Sequence, residues 1–82
     1  MTIVELLDFI ESQGYTKLRE LPDGTIVGLG QLLFTTALYV DLDAEGWGRR
    51  FCFERREDAE RALLKLRTGD DVPVGFIAQR GT

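Results

Sequence analysis

Apolar residues near the start of the chain recur with the period of an α-helix. Four of them occupy the i, i+3, i+4 and i+7 positions that share one helix face, namely Ile3, Leu6, Leu7 and Ile10. Thr2 precedes this stripe and Glu5 follows three residues later, which is the spacing of a capping box. Gly14 can adopt the left-handed conformation that ends a helix. The pattern therefore predicts a first helix between Thr2 and Gly14.

The same apolar stripe returns in the second half of the chain. It consists of Ala59, Ala62, Leu63 and Leu66. The acidic Glu57 stands near the start of this segment and the basic Arg67 stands at its end, as the helix dipole favours. These features predict a second helix over residues 56–67.

Between the two helices, apolar and β-branched runs alternate with turn signals. We predict four strands there, at residues 15–21, 25–29, 32–42 and 49–53. Pro22, Asp23 and Gly24 form the first turn, since proline fixes φ and glycine tolerates positive φ. After the second helix, Pro73 prevents further helix, and residues 74–78 predict either a short fifth strand or an extended tail that packs on the domain.

The third predicted strand is the longest, and its side chains alternate between two faces. One face carries Phe34, Thr36, Leu38, Val40 and Leu42, and the other carries Leu33, Thr35, Ala37, Tyr39 and Asp41. The first face is the more apolar, so we expect it to line the core and to bury Phe34.

The element order is therefore α-β-β-β-β-α-β over residues 1–82. Hairpins dominate and no strand–helix–strand repeat occurs, which favours an antiparallel sheet. We predict a single α+β domain in which the two helices cover one face of that sheet. A chain of 82 residues buries a small core and has a thin stability margin.

Composition limits the chemistry of this chain. It contains no histidine, which removes the most common general base and the Ser–His and Cys–His nucleophile pairs. The single cysteine, Cys52, excludes an internal disulfide and makes a zinc site implausible. A buried Cys52 is favoured over a reactive thiol, because cysteine is commonly a small core residue. We expect a non-enzymatic protein with no catalytic residue, metal or cofactor.

Hydropathy and the N-terminal charges bear on location. No apolar run has membrane-spanning length, and Glu5 and Asp8 stand where a signal peptide would carry positive charge. We therefore expect a cytoplasmic protein that has no membrane partner.

Charge is distributed unevenly along the chain. Residues 1–46 carry eight acidic and two basic residues, whereas residues 47–67 carry seven basic and four acidic residues. The basic segment contains a candidate face that mixes an aromatic residue with cations, namely Trp47, Arg49, Arg50, Arg55 and Arg56. Such a face suits a protein partner or nucleic acid. The alternative is an ordinary solvated surface.

A second candidate surface is acidic. Asp41, Asp43 and Glu45 alternate along the end of the third predicted strand and into the turn that follows it. Spaced carboxylates can imitate a phosphate backbone and dock into a nucleic-acid channel of another protein. The alternative is that these charges prevent strand-edge pairing and keep the domain soluble.

Several short motifs lie between residues 31 and 77. They are LLFT at residues 32–35, RFCF at residues 50–53, A-x-x-A-L at residues 59–63 and P-x-G-F at residues 73–76. On these motifs the chain resembles a group of small prophage and mobile-element proteins of alphaproteobacteria. Members of that group often carry Trp in place of Phe51 and a capping Ser or Thr in place of Arg55. The resemblance implies a phage or mobile-element origin and brings no activity with it.

These features together predict a protein that binds and inhibits a host macromolecule. An anti-CRISPR protein that occludes the nucleic-acid site of a host defence ribonucleoprotein complex fits the small size, the acidity and the lack of catalytic chemistry. The alternative is an accessory nucleic-acid-contact domain that uses the Trp47/arginine face, whose affinity would fall steeply with salt. The sequence leaves open which face binds and whether the chain forms a homodimer.

Overall fold

Each strand of the sheet pairs antiparallel with its neighbour in sequence. The computed structural model describes residues 2–81. Its elements in chain order are helix α1 (Ile3–Ser12), strands β1 (Thr16–Glu20), β2 (Ile26–Gln31), β3 (Thr36–Val40) and β4 (Arg49–Phe53), helix α2 (Arg56–Lys65) and strand β5 (Ala78–Arg80). The described residues form one five-stranded sheet in the order β1-β2-β3-β4-β5. The predicted α+β class, antiparallel pairing and element order are confirmed.

Helix α1 begins with the predicted capping box. The Thr2 hydroxyl accepts a hydrogen bond from the Glu5 backbone N–H at 3.2 Å, and the Glu5 carboxylate accepts one from the Thr2 N–H at 3.5 Å. These bonds satisfy two N–H groups that a helix start leaves without an intrahelical partner. The helix ends at Ser12, and Gly14 has the expected positive φ of 103°.

Helix α2 ends at Lys65, two residues before the predicted boundary. Leu66 already has an extended ψ of 141°. The Asp71 carboxylate accepts the backbone N–H groups of Arg67 at 2.7 Å and Thr68 at 3.1 Å. Because a side chain outside the helix takes these donors, the chain can leave the helical path without losing hydrogen bonds.

The two helices pack on opposite faces of the sheet, so the prediction that both cover one face is wrong. The face under α2, called the α2 face, buries Leu21, Val27, Leu29, Leu38, Val40, Phe51, Phe53, Ala59, Ala62, Leu63 and Leu66. The face under α1, called the α1 face, buries Ile10, Ile26, Ala37, Tyr39 and Leu42, with Leu6, Leu7, Tyr15, Leu18, Leu32 and Trp47 partly buried beside them. Leu38 and Tyr39 are neighbours in β3 and belong to different faces, as the period of two requires. Both faces of β3 are apolar, and each must therefore be buried against another element.

The predicted strand over residues 32–42 is shorter than expected at its start. The Leu32 N–H donates to the Thr35 carbonyl at 2.8 Å, which closes the turn between β2 and β3. Phe34 lies in this turn and is 85% exposed, so its predicted place in the core is wrong. An apolar run predicts a strand equally well whether it lies in a sheet or crosses a tight turn, and tertiary pairing decides between them.

The same predicted strand is also interrupted at its end. Asp41 has a positive φ of 64°, which breaks the alternation of side chains after Val40. Leu42 consequently packs on the α1 face, although the regular pattern groups it with Leu38 and Val40.

Strand β5 begins at Ala78, the last residue of the predicted segment 74–78. Gly75 has a positive φ of 96°, which is incompatible with an extended strand at that position. Pairing with β4 then runs to Arg80, beyond the predicted range.

Candidate functional site

The loop between β3 and β4 is organised by one carboxylate. Asp43 Oδ1 accepts the backbone N–H groups of Glu45 at 2.8 Å and Gly46 at 3.0 Å. The Asp43 N–H donates in turn to the Gly46 carbonyl at 2.9 Å. Aspartate often forms turns in this way, because its short side chain reaches the backbone two residues on. These bonds fix the backbone on which the neighbouring acidic side chains stand.

The three predicted acidic residues come together around this loop. A depression of about 350 Å³, called the acidic depression, is lined by Asp41, Asp43, Glu45, Gly46, Trp47 and Gly48. All three carboxylate residues are exposed. Within residues 2–81, the ion pairs shorter than 4.0 Å lie on α2 and involve none of these carboxylates. The structure thus forms an open, shallow and negatively charged depression beside an aromatic side chain.

Trp47 connects the acidic depression to the α1 face. Its ring centroid lies 5.6 Å from that of Tyr39, which lies 5.0 Å from that of Tyr15. The guanidinium carbon of Arg50 lies 5.4 Å from the Trp47 centroid, within cation–π distance. These contacts pack the half-buried Trp47 against the tyrosines of the α1 face on one side of the depression.

The predicted basic-aromatic face does not form one surface. Arg49 and Arg50 are adjacent in β4, and their side chains lie on opposite faces of the sheet. Arg49 is only 9% exposed; its guanidinium donates to the carbonyls of Gly69 and Asp71 and lies 5.2 Å from the Phe51 ring centroid. Arg49 therefore ties β4 to the segment after α2 through hydrogen bonds that its Nη2 group donates within the fold.

Arg55 and Arg56 lie at the opposite end of the sheet from the acidic depression. They follow Phe53, which pairs with Thr36, and the β3–β4 loop joins the other ends of these two strands. Arg56 also forms an ion pair with Glu60 at 3.7 Å. Of the predicted basic residues, Arg50 is thus the one that the structure brings to Trp47.

A further cation beside Arg50 was missed in the sequence. Arg80 is exposed and is the register partner of Arg50. The prediction ended the last strand at residue 78 and so left Arg80 outside the sheet. A three-residue edge strand is too short to produce an alternating pattern that sequence reasoning could detect.

Two other carboxylates, those of Asp23 and Asp71, stabilise the fold by accepting hydrogen bonds from backbone N–H groups. Asp23 Oδ2 accepts the Gly69 N–H at 2.8 Å, and this bond is the main cause of the lowered pKa of the Asp23 carboxyl. The N–H groups of Arg67 and Thr68 likewise lower the pKa of the Asp71 carboxyl. Hydrogen bonds donated to a carboxylate favour its ionised form. These two acids serve the fold, in contrast to the exposed acids of the depression.

The remaining chemistry of the described chain is limited. Cys52 is 7% exposed and buried, as expected. Among residues 2–81, no group of three or more Cys, Asp or Glu side chains is arranged to hold a metal ion. Neither helix in this part of the chain has the length and apolar character that crossing a bilayer requires. No protein-family model, curated protein or solved structure matches the chain.

Proposed function

We propose that this chain is a non-enzymatic binding protein that inhibits a host macromolecule by occupying a nucleic-acid-binding site with its β3–β4 loop. The observation that carries the proposal is the convergence of Asp41, Asp43 and Glu45 with Trp47 in one depression. The specific form is an anti-CRISPR protein acting on a defence ribonucleoprotein complex. The resemblance of residues 31–77 to prophage and mobile-element proteins supports this form.

The negative charge of the acidic depression suits it to bind such a site. Nucleic-acid channels are lined with lysine and arginine, which bind carboxylates through charge-assisted hydrogen bonds. Complementary charge also accelerates the encounter of two proteins, and this effect weakens as salt is added. Trp47 adds an aromatic side chain of the kind that carries binding energy at interface centres.

The first test uses the double variant Asp41→Asn with Glu45→Gln. Asparagine tolerates the left-handed backbone of position 41, where φ is 64°, and the turn made by Asp43 stays intact. The matched control is Glu11→Gln with Glu54→Gln, which changes net charge equally at exposed positions outside the loop.

The measurement is inhibition of target binding and cleavage by purified host RNA-guided defence complexes. We expect the wild type and the control to inhibit at micromolar concentration, and the double variant to bind at least about tenfold more weakly, or about 1.4 kcal/mol. The proposal fails if the wild type leaves both activities unchanged at that concentration. It also fails if the double variant inhibits as strongly as the control.

A nucleic-acid-contact function is the second candidate, because Arg50 lies beside Trp47 and is the register partner of Arg80. Cations beside an aromatic ring suit phosphates and bases. The variant Arg50→Glu with Arg80→Glu should then abolish a gel shift of DNA or RNA at low salt. Absence of any shift by the wild type at low salt would remove this candidate.

A further inference from the structure

Strands β4 and β5 place two arginines directly opposite each other. Arg50 and Arg80 are register partners in this antiparallel pair. Residues in that relation project from the same face of a sheet, with about 5 Å between their Cβ atoms, and like charges in such a pair repel each other. The pairing of the last strand therefore carries an electrostatic cost that a neutral residue at position 80 would not impose.

The fold does not neutralise this pair of cations. Within residues 2–81, the ion pairs lie on α2 and involve neither Arg50 nor Arg80. Two other arginines that are not fully exposed, Arg19 and Arg49, donate from their guanidinium groups to backbone carbonyls. By contrast, the Nε–H of Arg50 is buried and has no acceptor in the described part of the chain. A buried donor without an acceptor is uncommon in folded proteins and calls for an explanation.

The surroundings of Arg50 leave the outer end of its guanidinium open to a ligand. Neither Nη group of Arg50 is buried or hydrogen-bonded within residues 2–81, so both reach solvent. The guanidinium carbon lies 5.4 Å from the Trp47 ring centroid. An arginine that packs on an aromatic ring keeps the donors at its edge available for planar contacts with an anion. Arg50 is thus positioned before any ligand binds.

The end of β5 is held beside the loop that carries Trp47. Gly81 lies so close to the backbone of Gly48 and Arg49 that a Cβ at this position would clash. Arg80 immediately precedes Gly81 and is exposed. The second cation is therefore kept at the same corner of the sheet as the first.

Charge and shape favour a phosphate monoester as the anion for this pair. A guanidinium presents a fork of donors that matches an oxyanion, and two such groups supply two positive charges. A phosphate monoester carries a charge of about −1.5 to −2 and three strong acceptor oxygens, whereas a carboxylate carries one charge and two oxygens. The acidic depression on the other side of Trp47 would repel the further phosphates of a polynucleotide. A single terminal phosphate therefore fits better than a nucleic-acid chain.

We infer that Arg50 and Arg80 bind the phosphate monoester group of a small phosphorylated molecule, which lies between their guanidinium groups beside Trp47. The bound anion offsets both positive charges and removes the repulsion across the β4–β5 pair. This site goes beyond the proposed function, because it takes an anion, whereas the acidic depression takes cations. It also differs from the nucleic-acid candidate, because it takes one terminal phosphate.

The fluorescence of Trp47 reports directly on this site, because it is the only tryptophan in the sequence. The full chain is titrated with glycerol phosphate at an ionic strength held constant with sodium chloride. Acetate, sulfate and an oligothymidylate without terminal phosphates are titrated in parallel. The test variant is Arg80→Gln. The matched control is Arg55→Gln, which removes the same charge from an exposed position at the other end of β4.

We expect glycerol phosphate to change the Trp47 emission saturably, with a Kd of about 1 mM or tighter at neutral pH. Acetate should bind at least about tenfold more weakly, because it offers one charge and two oxygens. Arg80→Gln should raise the Kd for glycerol phosphate at least about tenfold, and Arg55→Gln should leave it within about twofold.

The pH dependence of binding identifies the ligand group. A phosphate monoester loses its second proton with a pKa of about 6, and the chain contains no histidine. The affinity for glycerol phosphate should therefore fall about fourfold between about pH 7 and about pH 5.5. Sulfate keeps both charges over this range, so an unchanged affinity for sulfate shows that the protein itself is not titrating.

Arg80→Gln also tests the premise that the two cations repel each other. In the absence of phosphate it should unfold at the wild-type urea midpoint or above it, because it removes the like-charge pair. A lower midpoint would show that Arg80 already has a stabilising partner in the fold and would overturn the proposal.

Four binding outcomes would also overturn it. They are no saturable change with glycerol phosphate, an unchanged Kd for Arg80→Gln, equal affinity for glycerol phosphate at both pH values, and an Arg80-dependent affinity for oligothymidylate that exceeds the affinity for glycerol phosphate. The last outcome would assign the arginine pair to nucleic acid. Each of these results is independent of whether the acidic depression inhibits a defence complex.

Discussion

The two faces of the sheet are filled with different chemistry. The α2 face buries aliphatic side chains and two phenylalanines, and Phe51 and Phe53 are both 0% exposed. The α1 face is built around Tyr39, with Tyr15 and Trp47 packed on it and only partly buried. The first face therefore contributes most of the hydrophobic stabilisation, while the second extends through Trp47 to the acidic depression.

Glycines in β2 explain why the α1 face can hold large rings. A Cβ at Gly30 would lie 2.8 Å from Tyr39 Cε2, and one at Gly28 would lie 2.7 Å from Leu18 Cδ2. Both distances are shorter than real Cβ atoms show, so a larger residue at either position would force these neighbours to shift. The aromatic rings beside the acidic depression therefore depend on β2 having glycine, which lacks a side chain, at these two positions.

The largest expected difference between the faces comes from truncating their side chains. Phe51→Ala should lower the unfolding free energy by about 3–5 kcal/mol, because it leaves a cavity in the α2 face. Leu7→Ala, at a partly buried position of the α1 face, should have a clearly smaller effect. Urea denaturation measures both, and the exposed Leu64→Ala should change stability by less than about 0.5 kcal/mol. Equal effects of the first two variants would contradict the comparison.

Adjacent arginines provide the next test. Arg49→Met should destabilise by about 1.5–3 kcal/mol, because the carbonyls of Gly69 and Asp71 lose a charged donor. Arg50→Met removes mainly a cation–π contact with Trp47 and should cost about 0.5–1 kcal/mol. Only Arg50→Met should alter Trp47 fluorescence in the folded state. If Arg50→Met proved the more destabilising, the structural role assigned to Arg49 would be wrong.

Adding a side chain at Gly30, next to the Tyr39 ring, should strain the packing of the α1 face. Gly30→Ala is expected to destabilise by about 1–3 kcal/mol and to change the near-ultraviolet circular dichroism, because the Tyr39 ring must move. Combining it with Tyr39→Leu should cost less than the sum of the two single changes. Strict additivity would show that the ring and the glycine are not coupled.

The smallest expected effect is the pH dependence contributed by Asp23 and Asp71. Their pKa values lie below the ordinary value of 3.8, so their stabilising effect is present above about pH 4 and is lost as pH falls through the lowered values. Asp23→Asn with Asp71→Asn should flatten the fall in urea midpoint below about pH 4. An unchanged slope in the double variant would contradict the assigned hydrogen bonds.

Part of the candidate site could be read directly from the sequence. Asp41, Asp43 and Glu45 converge because they lie close together in one loop, and a short loop brings such residues into one region whatever the rest of the fold does. The basic residues were predicted less well, since Arg49 and Arg50 are neighbours in sequence and lie on opposite faces of β4. Arg80 joined the site only through pairing between distant segments.

The sequence by itself determined the type and order of the elements, the capped start of α1 and the position of β4. These depend on local spacing, turn residues and end-capping groups, which act within a few residues. Only the tertiary structure decided that α1 and α2 cover opposite faces and that Phe34 stands in a turn. Apolar periodicity indicates that a side chain is suited to burial. The element that buries it is decided by pairing between distant segments. Within residues 2–81, Leu33 and Phe34 at the β2–β3 turn remain exposed.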